Sequence, residues 1–478
     1  MSSGLFGELS RTSQALNAHS QGIFTAGRNM ANVNNPAYAR QRVILGDRGM
    51  VQTTLGPQSL GVAALGLENV RDAILDKQVL RETALMKALE AEADAYYKAQ
   101  LSLGQQIDRQ NDASFVDGAN NTSSGGGIGA AITDFINAFS SVAANPRSDA
   151  EKQILFQKAQ TLVSQFRTVD SRLDTLQSEL TENVTTEVDE VNSILEVIKD
   201  LNRQIGMFEV GNAGSALDLR DKRQAKLEEL SKLMDFEVEA VPDSIGQIRI
   251  VSRDAADNPV VLLDSARDFN PVSFDGTNIL GGGPPAVALS LTSGTMRGRL
   301  SARDGAIADL RSSIDRLAGQ IVSAVNTTYN PGGVSTDFFL ATGTTAATMA
   351  LDPSLSAKTI RATNTANPGA NEVALAIADL GARQFDTGSG DAIDGSFGGF
   401  YVSVVSDIAN AVNTTQQRHE DQSTIQRLMV ERRDAVSGVS LDEEMADLVK
   451  FQRAFDASAR VMRVIDEMLE TIVNGLLR

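Results

Sequence analysis

The sequence predicts a multidomain α+β protein, mainly α with inserted β-rich modules. Coiled-coil helices are expected at both ends, with a long helical bundle stalk between them and outer β-rich domains. Three observations predict this class. The two ends carry matching seven-residue apolar ladders, one capped stretch keeps helical periodicity for about 60 residues, and the central part alternates as strands do. At 478 residues the chain is long enough for several cores.

The apolar ladders are the most informative feature of the chain. The N-terminal ladder consists of Leu9, Leu16, Ile23 and Met30, with Leu5, Ala26 and Val33 beside it. The C-terminal ladder consists of Leu441, Leu448, Phe455, Met462, Leu469 and Leu476, joined by Phe451, Ile465 and Ile472. A sustained heptad stripe needs a partner helix, and neither ladder has one beside it in sequence. We therefore expect the two ends to pack together, or against neighbouring copies, and to be mobile in the free monomer. Packing inside one ordinary domain is the alternative.

Charge favours pairing between the two ends. The first 50 residues hold five arginines against Glu8 and Asp47, which leaves a net charge of +3. The last helix, residues 441–478, holds eight acidic and five basic residues, which leaves −3. Opposite net charges of this size add a modest attraction.

The elements between the ladders follow from periodicity and punctuation. The first helix should end near Val33, because Pro36 forces Asn35 out of helical geometry. Ser148 and Glu151 form a capping box at the start of the longest helix, about 90 Å at 1.5 Å per residue. Helices are expected at 67–107, 148–207, 219–234, 300–328, 404–436 and 441–478, extended chain at 40–66, a loop at 111–129, strands at 236–241, 248–251, 260–263 and 286–291, and a small mixed insertion at 330–402.

These elements predict four domains, two of which are discontinuous in sequence. Residues 1–55 plus 437–478 form a terminal coiled-coil assembly domain, and residues 56–235 plus 296–330 plus 403–436 form a long-helix bundle. Residues 236–295 form a β-rich domain, and residues 331–402 a small variable outer module.

Composition excludes several classes of function. A net charge of −18 argues against nucleic-acid binding, which needs a basic surface. The absence of cysteine excludes disulfides and thiol catalysis, and His19 and His419 are too few for a histidine metal cluster. Charged residues interrupt the first 30 positions and no run of about 18 apolar residues occurs, so we expect neither a cleavable signal nor a transmembrane helix.

Candidate catalytic patterns are weak. The glycines of 125–129 follow a polar loop without the lysine of a phosphate-binding loop, so a linker is the better interpretation. Residues 386–391 resemble a calcium loop but place glycine where ligands belong, which favours a solvated turn. Glu443 and Glu444 open a predicted helix, where negative charge complements the helix dipole. We expect no catalytic, cofactor or metal site, and no enzyme.

The ends of the chain resemble the flagellar axial proteins of bacteria, which build rod, hook and hook–filament junction. The family's Asn-Ile-Ala-Asn, Thr-Pro-Gly-Tyr and basic stretch correspond to Asn29-Met30-Ala31-Asn32, to Asn35-Pro36-Ala37-Tyr38, and to Arg40-Gln41. Ala37 in place of glycine would strain a turn with positive φ. At the other end, residues 439–445 and 451–455 are similar to the family's closing helix. The helices at 148–207 and 301–329, with residues 217–223 (LDLRDKR), are similar to a junction subunit rather than to rod or hook proteins.

The resemblance implies a non-enzymatic structural role at the hook–filament junction. It implies unfolded export from the cytoplasm through the flagellar type III apparatus, then self-assembly into one helical ring layer outside the cell. The implied partners are further copies, hook protein below, a second junction protein above and an export chaperone, with no nucleic acid and no membrane. Implied assembly residues are Leu9, Leu16, Ile23, Met30, Asn32, Pro36, Tyr38, Arg40, Leu441, Leu448, Phe451, Phe455, Met462, Ile465, Leu469 and Ile472. Implied chaperone contacts are Leu448, Phe455, Met462 and Leu469.

Three alternatives remain from the sequence. The nearest is another axial subunit of hook or distal rod, against which the long central helices count. An enzyme on a flagellar scaffold would need a nucleophile or paired carboxylates in a compact domain, and a coiled-coil adhesin would use its β modules to bind a ligand.

Overall fold

The computed structural model describes residues 2–47, 49–53, 56–59, 61–104, 127–242, 244–265, 268–333, 335–365, 367 and 369–476. Most of these residues are helical, and the strands form small antiparallel sheets, which confirms the predicted fold class. The loop predicted at 111–129 lies outside the described residues up to position 126.

The helices alternate with short strands along the chain. The helices are α1 (Ser2–Ala31), α2 (Ala73–Ser102), α3 (Ile128–Ala144), α4 (Asp149–Phe208), α5 (Leu217–Leu233), α6 (Thr295–Asp304), α7 (Ala306–Tyr329), α8 (Glu372–Asp379), α9 (Phe397–Ser437) and α10 (Leu441–Leu476). The strands are β1 (Gln41–Asp47), β2 (Met50–Thr53), β3 (Gly56–Ser59), β4 (Val62–Asn69), β5 (Glu237–Ala240), β6 (Ile248–Arg253), β7 (Pro259–Asp264), β8 (Asp268–Phe269), β9 (Ser273–Phe274), β10 (Ile279–Gly281) and β11 (Val287–Ala288).

The strand pairs are all antiparallel. Strands β1 and β4 pair with each other, with a register shift between Ile44 and Leu45, and β2 pairs with β3. Strands β5 to β8 form a four-stranded sheet in sequence order, and β10 lies between β9 and β11. Apart from β1 and β4, the paired strands are consecutive in sequence, which needs only short turns, as the alternating sequence predicts.

The strongest periodic segment folds as predicted. Helix α4 has 60 residues, and the backbone N–H of Glu151 donates to Ser148 Oγ at 3.3 Å, which is half of the predicted capping box. The first helix ends at Ala31, two residues before the predicted end.

Three predicted helix boundaries are wrong, and each error has a structural reason. Residues 67–69 belong to β4, where Leu67 pairs with Val43, and α2 starts only after Asp72, whose carboxylate accepts the backbone N–H of Ile74 at 2.8 Å. The helix predicted at 300–328 begins at Thr295 and is interrupted at Gly305, so it is two helices. Helix α9 begins at Phe397 rather than 404 because Phe397 is buried in the apolar core.

The chain divides into two compact units that differ from the four predicted domains. Unit 1 comprises Met1–Met86, Val188–Gly294 and Gln422–Arg478, and unit 2 comprises Lys87–Glu187 and Thr295–Asp421. Residues 331–402, predicted as a separate outer module, share one core with α3 and α7 through residues such as Phe338, Phe339 and Ile377. Their strand content in the described residues consists of isolated bridges.

Unit 2 is held by an aromatic cluster. Phe135 and Phe139 of α3 have ring centroids 5.1 Å apart, and Phe338 lies 5.3 Å from Phe139 and 5.4 Å from Tyr329 of α7. Edge and tilted contacts of this kind add to the burial of the rings themselves.

Unit 1 joins the terminal helices to the β-rich segment. Asparagines of α4 replace missing strand partners there: Asn202 Nδ2 donates to the carbonyls of Ile248 and Ser265, and Asn192 exchanges two hydrogen bonds of 2.8 Å with Val272. Polar side chains inside a helix thus complete the hydrogen bonding of the irregular β segment beside it.

Candidate assembly interface

Helices α1 and α10 pack along each other in antiparallel orientation within one chain. Asn29 of α1 contacts Glu444 of α10, and Gly22, seven residues earlier, contacts Phe451, seven residues later. The His19 ring also lies 6.5 Å from the Phe451 ring. The two apolar ladders are therefore each other's partners, which answers the question of intrachain pairing that the sequence left open.

The predicted assembly residues occupy different positions in this pair. Ile465 is buried, and twelve others are half buried: Leu9, Leu16, Ile23, Met30, Asn32, Tyr38, Arg40, Leu448, Phe451, Phe455, Met462 and Leu469. Pro36, Leu441 and Ile472 are exposed. Most of the C-terminal ladder thus faces its own chain rather than solvent.

Gly22 allows the closest approach between the two helices. A Cβ at this position would lie 2.6 Å from ring atoms of Phe451, closer than any real contact of that kind. The ring therefore sits directly over the α1 backbone, and this contact fixes the level at which the helices cross.

Asn29 is the centre of a polar junction and was missed as a site residue. Its side-chain N–H donates to the carbonyl of Gln41 and to Glu444, each at 2.9 Å. Its side-chain oxygen accepts from Tyr38 Oη at 2.8 Å and from the backbone N–H of Gln41 at 3.0 Å. Asn29 is 1% exposed. The signal was present in the sequence, because Asn29 opens the Asn29-Met30-Ala31-Asn32 motif of the family resemblance, whereas the heptad pattern singled out only its apolar neighbour Met30.

Arg40 links the segment after α1 to the first turns of α10. Its guanidinium bonds Glu444 at 2.7 Å and Glu443 at 2.6 Å, with Asp447 3.5 Å away. The backbone N–H of Arg40 donates to Ser437 at the end of α9. Glu443 and Glu444 therefore have a second role beyond the helix dipole: they receive the family's basic stretch.

The turn before Arg40 is unstrained despite Ala37. The Asn35 side chain accepts the N–H of Ala37 at 3.2 Å, and the N–H of Tyr38 donates to the Asn35 carbonyl. Among the described non-glycine residues only Asp257 and Ser265 have positive φ, so Ala37 does not occupy the conformation that would require glycine.

Burial raises the pKa of Tyr38 to about 12, which keeps its hydroxyl a donor to Asn29. Asn32 only caps α1, bonding the Arg28 carbonyl.

Residues 217–223 join the same junction from α5. Asp218 accepts two bonds from Arg28 of α1 and one from Gln41. Asp221 accepts from Asn69 at 2.8 Å and from Arg71 at 3.0 Å, and burial raises its pKa despite the Arg71 charge. The N-terminal, central and C-terminal motifs that carry the family resemblance thus meet in one cluster of unit 1.

In the described ranges no group of three His, Asp or Glu side chains is placed to hold a metal ion. The Asp386 carboxylate instead accepts the N–H of Gly388 and the hydroxyl of Ser389 within its own turn. None of the described helices is both long and apolar enough to cross a membrane.

Comparisons with known proteins agree with this arrangement. Residues 113–339 match the helical domain of flagellar hook-associated protein FlgK, and residues 434–475 match the C-terminal region of flagellar basal body rod FlgEFG proteins. Flagellar hook-associated protein 1 of Bacillus subtilis (strain 168) is 23% identical over 514 residues, which cover 97% of both chains. The protein of that name from Escherichia coli (strain K12) is 22% identical over 552 residues, 96% of this chain and 98% of its own.

One solved structure is also similar. The flagellar hook junction protein FlgK from Burkholderia pseudomallei aligns with a TM-score of 0.42 and 20% identity, over 53% of this chain and 43% of that one.

The fold, the paired terminal helices and the rod-type C-terminal match define a structural protein of the bacterial flagellum. With the helical-domain match and an alignment over nearly the whole chain, the protein is similar in particular to flagellar hook-associated protein 1.

Replacing Gly22 with alanine should loosen the α1–α10 pair by about 1–3 kcal/mol, because the new methyl group displaces the Phe451 ring. Gly27→Ala on the same helix is the matched control: nothing lies within 4 Å of its Cβ, so it should stabilise α1 by about 0.5–1 kcal/mol. Amide hydrogen exchange in α10 measures the difference. Equal protection in the two variants would contradict the close approach at Gly22.

Arg40→Ala should weaken the start of α10 by about 1–3 kcal/mol, because it leaves the buried Glu444 carboxylate without its cation. Arg42→Ala is the control, since its partner Glu68 is exposed and such pairs contribute about 0–1 kcal/mol. Exchange rates of amides 441–450 report the effect. A larger effect for Arg42→Ala than for Arg40→Ala would overturn the assignment.

The α1–α10 pair should weaken at mildly acidic pH. His19 Nδ1 is buried without a hydrogen-bond partner in the described residues, and burial lowers the His19 pKa below the ordinary value of 6.5. The separated helices therefore bind a proton more readily than the pair does, so pairing is strongest above about pH 6.5 and is lost progressively as pH falls below it. The measurement is the amide hydrogen-exchange protection of α10 as a function of pH, corrected for the intrinsic exchange rate. In the His19→Gln variant this protection should depend less on pH than in the unaltered chain. An unchanged profile would exclude His19 as the cause.

Proposed function

We propose that this chain is the structural subunit that joins hook to filament in the bacterial flagellum. The observation that carries the proposal is the junction at Asn29, where the N-terminal, central and C-terminal motifs of the family meet. Relatives named flagellar hook-associated protein 1, aligned over nearly their whole length, support the same role. The helical-domain match over residues 113–339 favours a junction subunit over hook or rod.

The proposal includes the route to the flagellum. The chain is made in the cytoplasm, leaves unfolded through the flagellar type III apparatus, and assembles outside the cell into one helical ring layer. Hook protein lies below this layer and a second hook-associated junction protein above it. Residues 1–55 and 437–478 act as the assembly domain, because α1 and α10 pack along each other as one antiparallel pair.

An export chaperone is proposed to bind α10 before export through Leu448, Phe455, Met462 and Leu469. These side chains are half buried along α1 in the folded chain. The chaperone would therefore take the place of α1 on this face. The ladders have a partner within the chain, so we expect the two ends to order and disorder together rather than independently.

Removing residues 441–478 tests the assembly role. Helix α10 packs chiefly on α1, so the shortened chain should stay folded and soluble while α1 loses protection and the protein no longer joins flagella. Circular dichroism, α1 hydrogen exchange and the chain's presence in sheared flagella measure the three outcomes. Global unfolding would make α10 part of the core and contradict the assignment, and clearing of peptidoglycan by the full chain would contradict a purely structural role.

A further inference from the structure

Helix α10 carries two exposed apolar stripes that its pairing with α1 leaves uncovered. The proximal stripe is Leu441, Met445 and Val449, and the distal stripe is Val461, Val464, Met468 and Ile472. Each of these side chains is 44–51% exposed. Both stripes follow helical steps of three and four, as a contact face on one helix does.

The two stripes lie on opposite flanks of the helix. At 100° per residue the stripe centres are about 145° apart on the side of α10 away from α1, and the α1-facing side chains, such as Phe451 and Ile465, lie in the remaining arc of about 215°. The proximal half of α10 is apolar on one flank and has Lys450 on the other. The distal half reverses this, with Arg460 and Glu467 where the proximal stripe would continue. The apolar surface thus changes sides about halfway along α10.

The stripes are also displaced along the helix axis. Their centres are about 20 residues apart, which is about 30 Å at 1.5 Å per residue. A single partner cannot cover two opposite flanks at different heights. A two-fold dimer would pair one stripe with itself and leave the other exposed.

We propose that the distal stripe of α10 in one copy of this chain packs on the proximal stripe of α10 in the next copy, with a stagger of about 30 Å along the axis. This inference rests on the proposed function and specifies the lateral contact within the layer. Such a contact is heterologous, because it joins two different surfaces. Each pair of copies therefore still has one free distal and one free proximal stripe, and further copies can add until a ring closes or an open helix forms.

The charges beside the stripes and the position of α1 both fit a second copy of this chain as the partner of each stripe. Arg460 borders the distal stripe and Asp442 borders the proximal one, and both are exposed. With the helices parallel and staggered, Arg460 of one copy comes level with Asp442 of the next on the same side of the contact. The same arrangement keeps α1 of every copy on the opposite side of the α10 row. A continuous two-layered wall can then form without a clash between the α1 helices.

Cysteine cross-linking tests the contact, since the natural chain has no cysteine. Three single variants are needed: Met445→Cys in the proximal stripe, Val464→Cys in the distal stripe, and Ala446→Cys as a control at the same height but on another flank. Bacteria producing them singly, in mixtures and as the double variant Met445→Cys/Val464→Cys are treated with a short bismaleimide on intact flagella.

The double variant should give cross-linked dimers, trimers and larger species, because each copy can be linked on both sides. The mixture of Met445→Cys and Val464→Cys should give dimers only, because each copy carries one cysteine. Either single variant alone, and Ala446→Cys mixed with Val464→Cys, should remain monomeric. Dimers from one single variant alone would show self-pairing of a stripe and overturn the proposal. A chain present in flagella but not cross-linked as the double variant would overturn the contact while leaving the proposed function intact. Absence of the unaltered chain from flagella would overturn both.

Discussion

The hydrogen bond from buried Asn29 of α1 to Glu444 of α10 is the constraint on which the pairing of the terminal helices depends. Two heptad ladders can slide past each other by seven residues and still bury apolar side chains, so the ladders alone do not define one register. Asn29 is buried and uses all of its hydrogen-bonding capacity in the observed register, with Glu444, Tyr38 and Gln41 as partners. Only the bond to Glu444 reaches α10, so a slip would leave that one buried N–H of Asn29 without its acceptor, at a cost of about 1–3 kcal/mol. Gly22 under the Phe451 ring enforces the same register by shape.

The junction also explains how distant segments form one unit. Residues near positions 30, 220 and 440 are separated by long helices, yet they contribute to unit 1 together. Arg40 bonds Glu443 and Glu444, while Asp218 bonds Arg28. These contacts connect both ends of the chain to α5, which packs beside the β-rich segment in the same unit. Neither terminal helix is therefore held to unit 1 by apolar packing alone.

Much of this arrangement could be predicted from the sequence, and the remainder depended on long-range contacts. Spacing identified α1, α4 and α10, since their apolar periods are local. The start of α2 could not be placed, because residues 67–69 pair with β1, which lies more than 20 residues away. Arg40 was predicted as a site residue, but its ion pair with Glu444 was not. The sequence explained Glu444 only by the favourable position of an acidic residue at a helix N-terminus, because Arg40 lies 404 residues away in sequence. Asn29 was missed because a heptad prediction looks for apolar side chains, whereas the register depends on a polar one.

The distance between α1 and α10 in solution tests the central claim, that the terminal helices pair within one chain. Spin labels at Asn17→Cys and Asp456→Cys would lie at the same level of the pair, on exposed positions of a chain without natural cysteine. Double electron–electron resonance on this variant, diluted with excess unlabelled protein, should give one narrow peak for adjacent helices whose axes lie about 8–10 Å apart. A broad distribution, or a short distance that disappears on dilution, would show that the helices pair between chains or not at all.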